Sequence, residues 1–242
     1  MNENIIEVRH LSKQFKNHLA VDNISFDVKR SEIKGILGAN GAGKSTTISM
    51  LLGLLIPTKG SVNILSIDIL KHRYKILNKI NFSSPYVDLP KKLTVRQNLY
   101  IYGMLYGVKN INKKIKNIAK ELDFEKLLEN KTGELSSGQK TRVSLGKAVI
   151  NDPEILFLDE PTASLDPDTA DRVRTFFEKF VKSHKTTIIL ASHNMEEVKR
   201  LCNTVMMMKN GKITDQGTPN QLINKYGKKN LEEVFLKIAR QE

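Results

Sequence analysis

The stretch from residue 38 to residue 46 constrains this chain more than any other. It fits the pattern G-x-x-x-x-G-K-[ST] of a phosphate-binding loop, with the residues Gly38, Ala39, Asn40, Gly41, Ala42, Gly43, Lys44, Ser45 and Thr46. Its glycines allow backbone conformations that a Cβ atom would block, so that several N–H groups turn toward an anion. A helix beginning near Gly43 adds its first N–H groups and the positive end of its dipole. The pattern predicts that Lys44 reaches the β- and γ-phosphates of a nucleotide and that the Ser45 hydroxyl binds Mg²⁺.

The residues on either side of the loop predict the strand and the helix between which a phosphate-binding loop lies. Ile33–Leu37 has the composition of a short buried strand. After the loop, Pro57 ends an apolar run at helical spacing, formed by Ile48, Leu51, Leu52 and Leu55. The order strand, loop, helix favours a true phosphate site over a glycine-rich turn that matches by chance.

Length and composition describe an ordinary globular chain. Its 242 residues suffice for one large domain or two small ones, and 40% hydrophobic with 27% charged residues is typical of soluble proteins. The single cysteine, Cys202, excludes an internal disulfide framework and is interpreted as a core residue. The first residues lack the pattern of a signal peptide, and no apolar run approaches the ~20 residues of a spanning helix. We therefore expect that the chain does not cross a membrane by itself.

The net charge of +13 raises the question of an anionic partner. The densest basic group lies on the polar side of a predicted amphipathic helix and comprises Lys109, Lys113, Lys114, Lys116 and Lys120. Aromatic residues are not interleaved with it, as they are in single-strand binders. A solvated helix face is the favoured interpretation and no nucleic acid is expected, while a membrane-surface or acidic-partner role stays open.

The order of elements predicts an α/β fold in which residues 1–242 form a single domain. Strand-like pieces at Ile5–Val8, Leu19–Val21 and Ile24–Val28 predict an N-terminal antiparallel β subdomain. The period becomes helical from Thr94 onward, which predicts a mainly helical subdomain inserted at about 85–150. Buried strands near residues 155–159 and 186–191 belong to a mainly parallel sheet core. A hairpin around Lys209–Gly211 and a helical tail at about 218–242 complete the chain.

Four further residues carry candidate chemistry. The apolar run Ile155–Leu158 ends in Asp159, placed to hold Mg²⁺, and Glu160, placed as general base for a water attacking the γ-phosphate. His193 follows another buried strand and is a candidate γ-phosphate contact, although a lone histidine at a strand end is more often structural. Phe15, interpreted as lying in a polar loop, either stacks on a nucleotide base or is a small core aromatic.

With these parts in this order, the chain resembles the nucleotide-binding domain of ABC transporters over about residues 4–217. Residues 38–46 match its Walker A motif, Ile155–Asp159 its Walker B motif and Glu160 its catalytic glutamate. The family signature is matched by Leu135, Ser136, Ser137, Gly138 and Gln139, with Ser137 where glycine is usual. Ser164-Leu165-Asp166 resembles the D-loop, His193 the switch histidine, and Phe15 the adenine-stacking aromatic.

This resemblance implies a P-loop NTPase that binds ATP and Mg²⁺ and forms a head-to-tail dimer. Each ATP would lie between one copy's P-loop and the other copy's signature helix, where Ser136 and the Gly138 N–H contact the γ-phosphate. The glutamine of the family's Q-loop is missing. Its expected position falls on Ser84 or Pro85, and neither of these is glutamine. In the family that residue normally contacts Mg²⁺ and the attacking water and helps to couple the domain to the membrane subunit. We therefore expect its absence to affect both the rate of ATP hydrolysis and this coupling.

The tail from Asn230 to Leu236 resembles the ABC-2-type, multidrug-exporter-like branch. The resemblance therefore implies a homodimer at the cytoplasmic face of the membrane, bound peripherally to a separate permease and driving export. The permease would dock on the loop from Ser84 to Leu99. Two alternatives stay open, namely a non-transport ABC ATPase acting on nucleic acid or ribosomes and an ATP sensor with low turnover.

Overall fold

A computed structural model describes residues 4–240 of the chain, with residues 239 and 240 described as backbone only. The chain divides into two compact units, and each is described by itself. The terminal unit comprises Met1–Leu77 and Thr187–Glu242, and the central unit comprises Asn78–Thr186. The predicted domain of residues 1–242 and its tail at 218–242 include residues 1–3 and 241–242, which lie outside the described part.

The strands and helices of the described residues are numbered in chain order. The strands are β1 (Asn4–Phe15), β2 (His18–Lys29), β3 (Ile33–Leu37), β4 (Lys59–Ile64), β5 (Ile67–Asp68), β6 (Ile80–Ser83), β7 (Ile155–Asp159), β8 (Thr187–Ser192), β9 (Thr204–Lys209) and β10 (Lys212–Gly217). The helices are α1 (Lys44–Leu51), α2 (Ile69–His72), α3 (Val95–Leu105), α4 (Ile111–Glu121), α5 (Ser137–Ala148), α6 (Pro167–His184), α7 (Met195–Leu201), α8 (Pro219–Tyr226) and α9 (Leu231–Arg240). Short 3-10 turns occur at Arg73–Lys75, Glu125–Leu127 and Thr132–Glu134.

The terminal unit contains an antiparallel sheet with the order β2-β1-β4-β5, which confirms the predicted N-terminal β subdomain. Two details of the prediction were wrong. The pieces Leu19–Val21 and Ile24–Val28 form one strand, β2, because register shifts against β1 and a φ of 51° at Asn23 absorb the polar interruption. Phe15 is the last residue of β1 and does not lie in a loop.

The second sheet of the terminal unit has β3 at its centre, in the order β10-β9-β3-β8 within this unit. Strand β3 runs parallel to both β8 and β9, and β10 returns antiparallel to β9. Every residue of β3 and of β8 is buried, including Lys34, which accounts for their largely apolar composition. The carboxyl ends of these parallel strands place the loop of residues 38–43 at one edge of the sheet.

Helix α1 follows that loop and is shorter than the apolar spacing predicted. It ends at Leu51, with Leu52 as its C-cap and Gly53 at a φ of +66°, so Leu55 lies outside it. A glycine in this conformation stops a helix before Pro57 is reached, which the apolar period alone did not reveal.

The central unit contains the parallel pair β6 and β7 together with helices α3 to α6. Helices α3, α4 and α5 lie within the predicted helical segment of residues 85–150. In α4 the residues Ile115, Ile118 and Ala119 are buried. Four of the five clustered lysines are exposed, whereas Lys114 is half-buried and forms an ion pair with Asp152 at 2.5 Å.

The C-terminal helices belong to the terminal unit. Helix α8 begins with a reciprocal capping box between Thr218 and Gln221. Helix α9 buries Leu231 and Val234, and its Ile238 carbonyl accepts a hydrogen bond from the Lys209 ammonium at 2.9 Å. Cys202 is buried, as expected of a core residue. Within residues 4–240, no helix combines the length and the apolar character needed to span a bilayer.

Candidate functional site

The phosphate-binding loop has the predicted setting between a buried strand and a helix start. It leaves β3 after Leu37, and Gly43 is the N-cap of α1 with a φ of +104°. The carbonyl of Gly43 accepts hydrogen bonds from the backbone N–H and the side-chain hydroxyl of Thr47, both at 2.9 Å. The first turn of α1 is therefore anchored where its N–H groups and dipole favour an anion.

Lys44 and Ser45 occupy the first turn of α1. The Lys44 side chain is only 6% exposed, and its ammonium donates to the carbonyls of Gly38 at 2.7 Å and Ala39 at 3.2 Å. These bonds hold the cation along the rim of its own loop. The side chain of Ser45 is exposed, and the neighbouring Thr46 is half-buried.

A turn that sequence analysis did not assign to the site packs against this loop. The Gly211 N–H, between β9 and β10, donates to the Ala42 carbonyl at 3.1 Å, and the Gly211 carbonyl accepts from the Asp22 N–H at 2.9 Å. A Cβ atom on Gly38 would lie 2.6 Å from the Met208 carbonyl oxygen. The hairpin was predicted from its turn residues, but nothing in the sequence linked it to residues 38–43.

His193 emerges beside the loop within the terminal unit. Ser192, the last residue of β8, is the register partner of Leu37, so His193 follows β8 at the level where the loop leaves β3. Its side chain is exposed. Asn194 then caps α7 by accepting from the N–H groups of Glu196 and Glu197 at 3.0 and 3.1 Å. This cap fixes the chain direction immediately after the histidine.

Phe15 has an accessible ring at the end of β1. Its residue is 43% exposed, and the Lys13 ammonium lies 5.1 Å from the ring centre. That exposure argues against the core-aromatic alternative, because buried members of β1 such as Val8 and Leu11 are fully enclosed.

Asp159 ends strand β7 in the central unit, and Glu160 follows it directly. Asp159 is 4% exposed, and Glu160 is half-buried. Glu160 has a φ of 50°, a left-handed conformation that costs a residue with a Cβ atom of order 1–3 kcal/mol. The backbone therefore leaves the extended conformation of β7 directly after Asp159.

The signature residues form the start of α5. Ser136 is the N-cap, and its Oγ accepts from the Gln139 N–H at 3.3 Å while the Gln139 side chain accepts from the Ser136 N–H at 2.9 Å. Since a hydroxyl has one donor besides its acceptor lone pairs, the Ser136 O–H can still be donated to an oxyanion. Ser137 is exposed, and Gly138 is half-buried.

The D-loop residues pack against this helix start within the central unit. The hydroxyls of Thr141 and Ser164 are hydrogen-bonded at 2.6 Å, and a Cβ atom on Gly138 would lie 3.2 Å from the Ser164 carbonyl oxygen. Asp166 caps α6 by accepting from the Thr169 N–H at 3.0 Å, and this bond lowers the pKa of the Asp166 carboxyl. The structure thus brings residues 136–139 and 164–166 together.

The segment at the position of the Q-loop forms a turn directly after β6. The Ser84 carbonyl accepts from the Val87 N–H at 3.3 Å, and the Ser84 Oγ accepts from the Tyr86 N–H at 3.4 Å. Ser84 is half-buried and Pro85 is exposed.

A phosphate-binding loop between a parallel strand and a helix defines a P-loop NTPase. A family model described as ABC transporter matches residues 21–163. The chain therefore belongs to the ABC transporter family and contains the ATP-binding domain of that family.

Named relatives and a solved structure agree with this family. The Nod factor export ATP-binding protein I of Rhizobium sp. (strain N33) is 34% identical over 239 residues, which are 97% of this chain and 78% of that protein. The probable multidrug ABC transporter ATP-binding protein YbhF of Escherichia coli (strain K12) is 35% identical over 222 residues, 91% of this chain but only 38% of that protein. A bacterial ABC transporter cassette, MJ0796, solved as a dimer, has a TM-score of 0.83 at 24% identity and covers 88% of this chain and 98% of its own.

Proposed function

We propose that this chain is the ATP-binding and ATP-hydrolysing subunit of an ABC exporter. It forms a dimer around two ATP molecules and drives a separate membrane permease. The observation that carries the proposal is the P-loop itself, anchored between β3 and α1 with Lys44 held along its rim. The names of the relatives, a multidrug transporter ATP-binding protein and a Nod factor export protein, support export.

Phosphate binding follows from the geometry of residues 38–46. The loop and the first turn of α1 present backbone N–H groups to the anion, and the dipole of α1 adds positive potential. The Lys44 ammonium exchanges its bonds to the Gly38 and Ala39 carbonyls for the β- and γ-phosphates. Thr46, half-buried in the same turn, contacts a phosphate oxygen from the side of the helix.

The residues present suit magnesium as the metal. Ser45 offers an exposed hydroxyl, and Asp159 offers a buried carboxylate at the end of β7. Hard oxygen ligands, one or two from the protein with the rest from phosphates and water, are the usual set for Mg²⁺. When bound, the ion neutralises charge on the β- and γ-phosphates.

Glu160 and His193 supply the remaining catalytic groups. The Glu160 carboxylate accepts a proton from the attacking water, and His193 contacts the γ-phosphate. Two observations support these roles. Glu160 has a left-handed backbone directly after β7, and the pairing of Ser192 with Leu37 places His193 at the level where the phosphate-binding loop leaves β3.

The second copy of this chain completes each ATP site. Ser136, through its remaining O–H, and the Gly138 N–H bind the γ-phosphate of the partner's ATP, while Ser137, Gln139 and Asp166 shape the same surface. The packing of the D-loop on α5 supports a joint role for these residues. The dimeric form of the MJ0796 cassette supports the assembly.

The permease docks on an apolar surface of the central unit, which we call the α3 patch. It begins with the exposed residues Tyr86 and Val87 and continues along α3. Its helical members are Tyr100, Ile101, Met104 and Leu105. Exposed apolar residues grouped on one helix mark interaction surfaces, and a membrane subunit would hold the chain at the cytoplasmic face of the membrane. The predicted docking loop of residues 84–99 therefore extends to Leu105.

Purification of the Glu160→Gln chain tests the assembly. We expect tagged chain, expressed in its native cell and extracted gently with ATP present, to retain a polytopic membrane protein in stoichiometric amount. Without membranes, the same chain is expected to elute as a dimer with ATP and as a monomer with ADP. Recovery with ribosomes or nucleic acid, and no membrane protein, would contradict the transport proposal and favour a non-transport ATPase.

A substitution at Phe15 tests base stacking. Phe15→Ala is expected to weaken ATP binding about 5- to 150-fold, because stacking on one base contributes about 1–3 kcal/mol. Phe15→Tyr keeps a ring and should stay within about twofold of the unsubstituted chain. Equilibrium dialysis with ATP and with inorganic triphosphate checks the cause, since only ATP should respond. An equal loss for both ligands would show that Phe15 supports the loop and does not stack on the base.

A further inference from the structure

A buried lysine that the proposed chemistry does not use lies in the central unit. Lys147, near the end of α5, is only 5% exposed. Its ammonium donates to the Phe82 carbonyl at 2.8 Å and to the Asn81 Oδ1 at 3.3 Å. It also lies 4.5 Å from the ring centre of Phe82 and 5.6 Å from that of Tyr102. No carboxylate in the described part of the chain forms an ion pair with it.

Lys147 is part of a polar seam between α5 and β6. We define the α5–β6 seam as Asn81, Phe82 and Ser83 on the strand with Ser144, Lys147 and Asn151 on and after the helix. The Asn81 amide donates to the Lys147 carbonyl at 3.2 Å and to the Asn151 Oδ1 at 2.8 Å. The hydroxyls of Ser83 and Ser144 are 3.0 Å apart. Three successive strand residues, ending one residue before Ser84, are thus bound to the signature helix.

Packing alone does not account for a lysine at this position. Burial lowers the pKa of the Lys147 ammonium to about 8, which shows that its charged form is poorly solvated here. Methionine would fill a similar volume without a buried charge. What lysine adds is a cation that joins a strand carbonyl, a side-chain amide and two aromatic rings in one contact.

We propose that Lys147 is a positioning residue for ATP hydrolysis, which holds the strand leading to Ser84 against the helix that carries Ser136–Gln139. The inference rests on the proposed function, in which both the Ser84 loop and the signature residues serve ATP. Because Ser84 directly follows β6, the position of its loop depends on the support that β6 receives from its neighbours. The α5–β6 seam supplies that support from within one unit.

Steady-state ATP hydrolysis by three variants tests the role. Lys147→Met is expected to lower kcat roughly tenfold, since a misplacement of about 1 Å can cost up to 100-fold. The KM for ATP should stay within about twofold, because the P-loop belongs to the other unit. Lys147→Arg, which keeps the charge, should recover kcat to within about threefold. The control Lys79→Met removes an exposed lysine just before β6 and should leave both constants unchanged.

The pH dependence of kcat adds a readout that a purely structural role would not change. The titratable side chain facing Lys147 from α3 is Tyr102, whereas its partners on β6, Asn81 and Phe82, do not titrate. As pH rises through about 8, Lys147 loses its charge, so kcat of the unsubstituted chain is expected to fall relative to Lys147→Arg. The arginine variant stays protonated, so the ratio of its kcat to that of the unsubstituted chain should rise between about pH 7 and pH 9.5.

Hydrogen exchange measured by mass spectrometry gives a test that does not require turnover. Lys147→Met should raise amide exchange in the peptide containing Phe82–Ser84 about tenfold, and Lys79→Met should not. Unchanged exchange there, or an unchanged kcat, would overturn the inference. The inference would also be overturned if Lys147→Met lost kcat and ATP binding to the same extent, and if that extent matched the loss of folded protein. An unsubstituted chain that neither binds nor hydrolyses ATP would refute the proposed function instead, and the exchange result would still decide whether Lys147 ties the seam.

Discussion

Glu160→Gln is expected to slow ATP hydrolysis about 10²- to 10⁴-fold while ATP binding is retained. A carboxylate can accept the proton of an attacking water, whereas an amide of the same size cannot, and general-base catalysis is worth about that factor. The left-handed backbone at Glu160 is kept, because glutamine meets the same conformational cost as glutamate. Single-turnover hydrolysis of radiolabelled ATP measures the rate, and equilibrium dialysis measures the affinity.

A matched control and two contrary outcomes make this test decisive. Glu129→Gln removes an exposed carboxylate of the same unit, whose partner is Arg96, and should leave the rate unchanged. A Glu160→Gln chain that hydrolyses ATP at the normal rate would exclude Glu160 as the base. If the unsubstituted chain already hydrolyses ATP as slowly as the variant, the better interpretation is an ATP sensor with low turnover, in agreement with the serine at the Q-loop position.

The sequence predicted those parts of the fold whose signals are local. Strands β3, β7 and β8 are rich in apolar residues because both of their faces are buried, and the loop of residues 38–43 is defined by its own glycines. The capping box of α8 was predictable for the same reason, since Thr218 and Gln221 are three residues apart. The predicted extents of β2 and α1 were wrong, because a left-handed Asn23 lets one strand continue through a polar interruption, whereas a left-handed Gly53 ends the helix early.

The missed features depend on residues that are distant in sequence. The bond between Gly211 and Ala42 joins a hairpin turn to the phosphate loop, and no periodicity in either segment indicates it. Lys147 likewise looks like one more charged residue of a polar helix, and its burial follows only from the packing of α5 on β6. The strain at Glu160 was invisible as well, because the residue type carries no signal for a positive φ.

Gly43→Ala is expected to weaken ATP binding about 100-fold or more, equivalent to about 2.8 kcal/mol. Gly43 has a φ of +104°, which residues with a Cβ atom rarely adopt. An added Cβ would lie 2.6 Å from the Ala20 carbonyl oxygen, which is backbone of β2 and cannot rotate away. The start of α1 must therefore shift, and with it the N–H groups that bind phosphate. Titration with a fluorescent ATP analogue measures the affinity.

Gly41→Ala separates a steric effect from backbone strain in the same loop. Gly41 has a φ of +80°, yet a Cβ atom added there would have no other atom within 4 Å, so alanine meets strain without a clash. Its affinity should fall less than that of Gly43→Ala, by up to about 30-fold, because the left-handed conformation costs a residue with a Cβ atom roughly 1–2 kcal/mol. Circular dichroism confirms that both chains are folded at the titration temperature. Equal losses for the two variants would show that flexibility of the loop, and not its contact with β2, controls ATP binding. A Gly43→Ala chain that binds ATP normally would refute the close approach of the loop to Ala20 as the basis of the phosphate site.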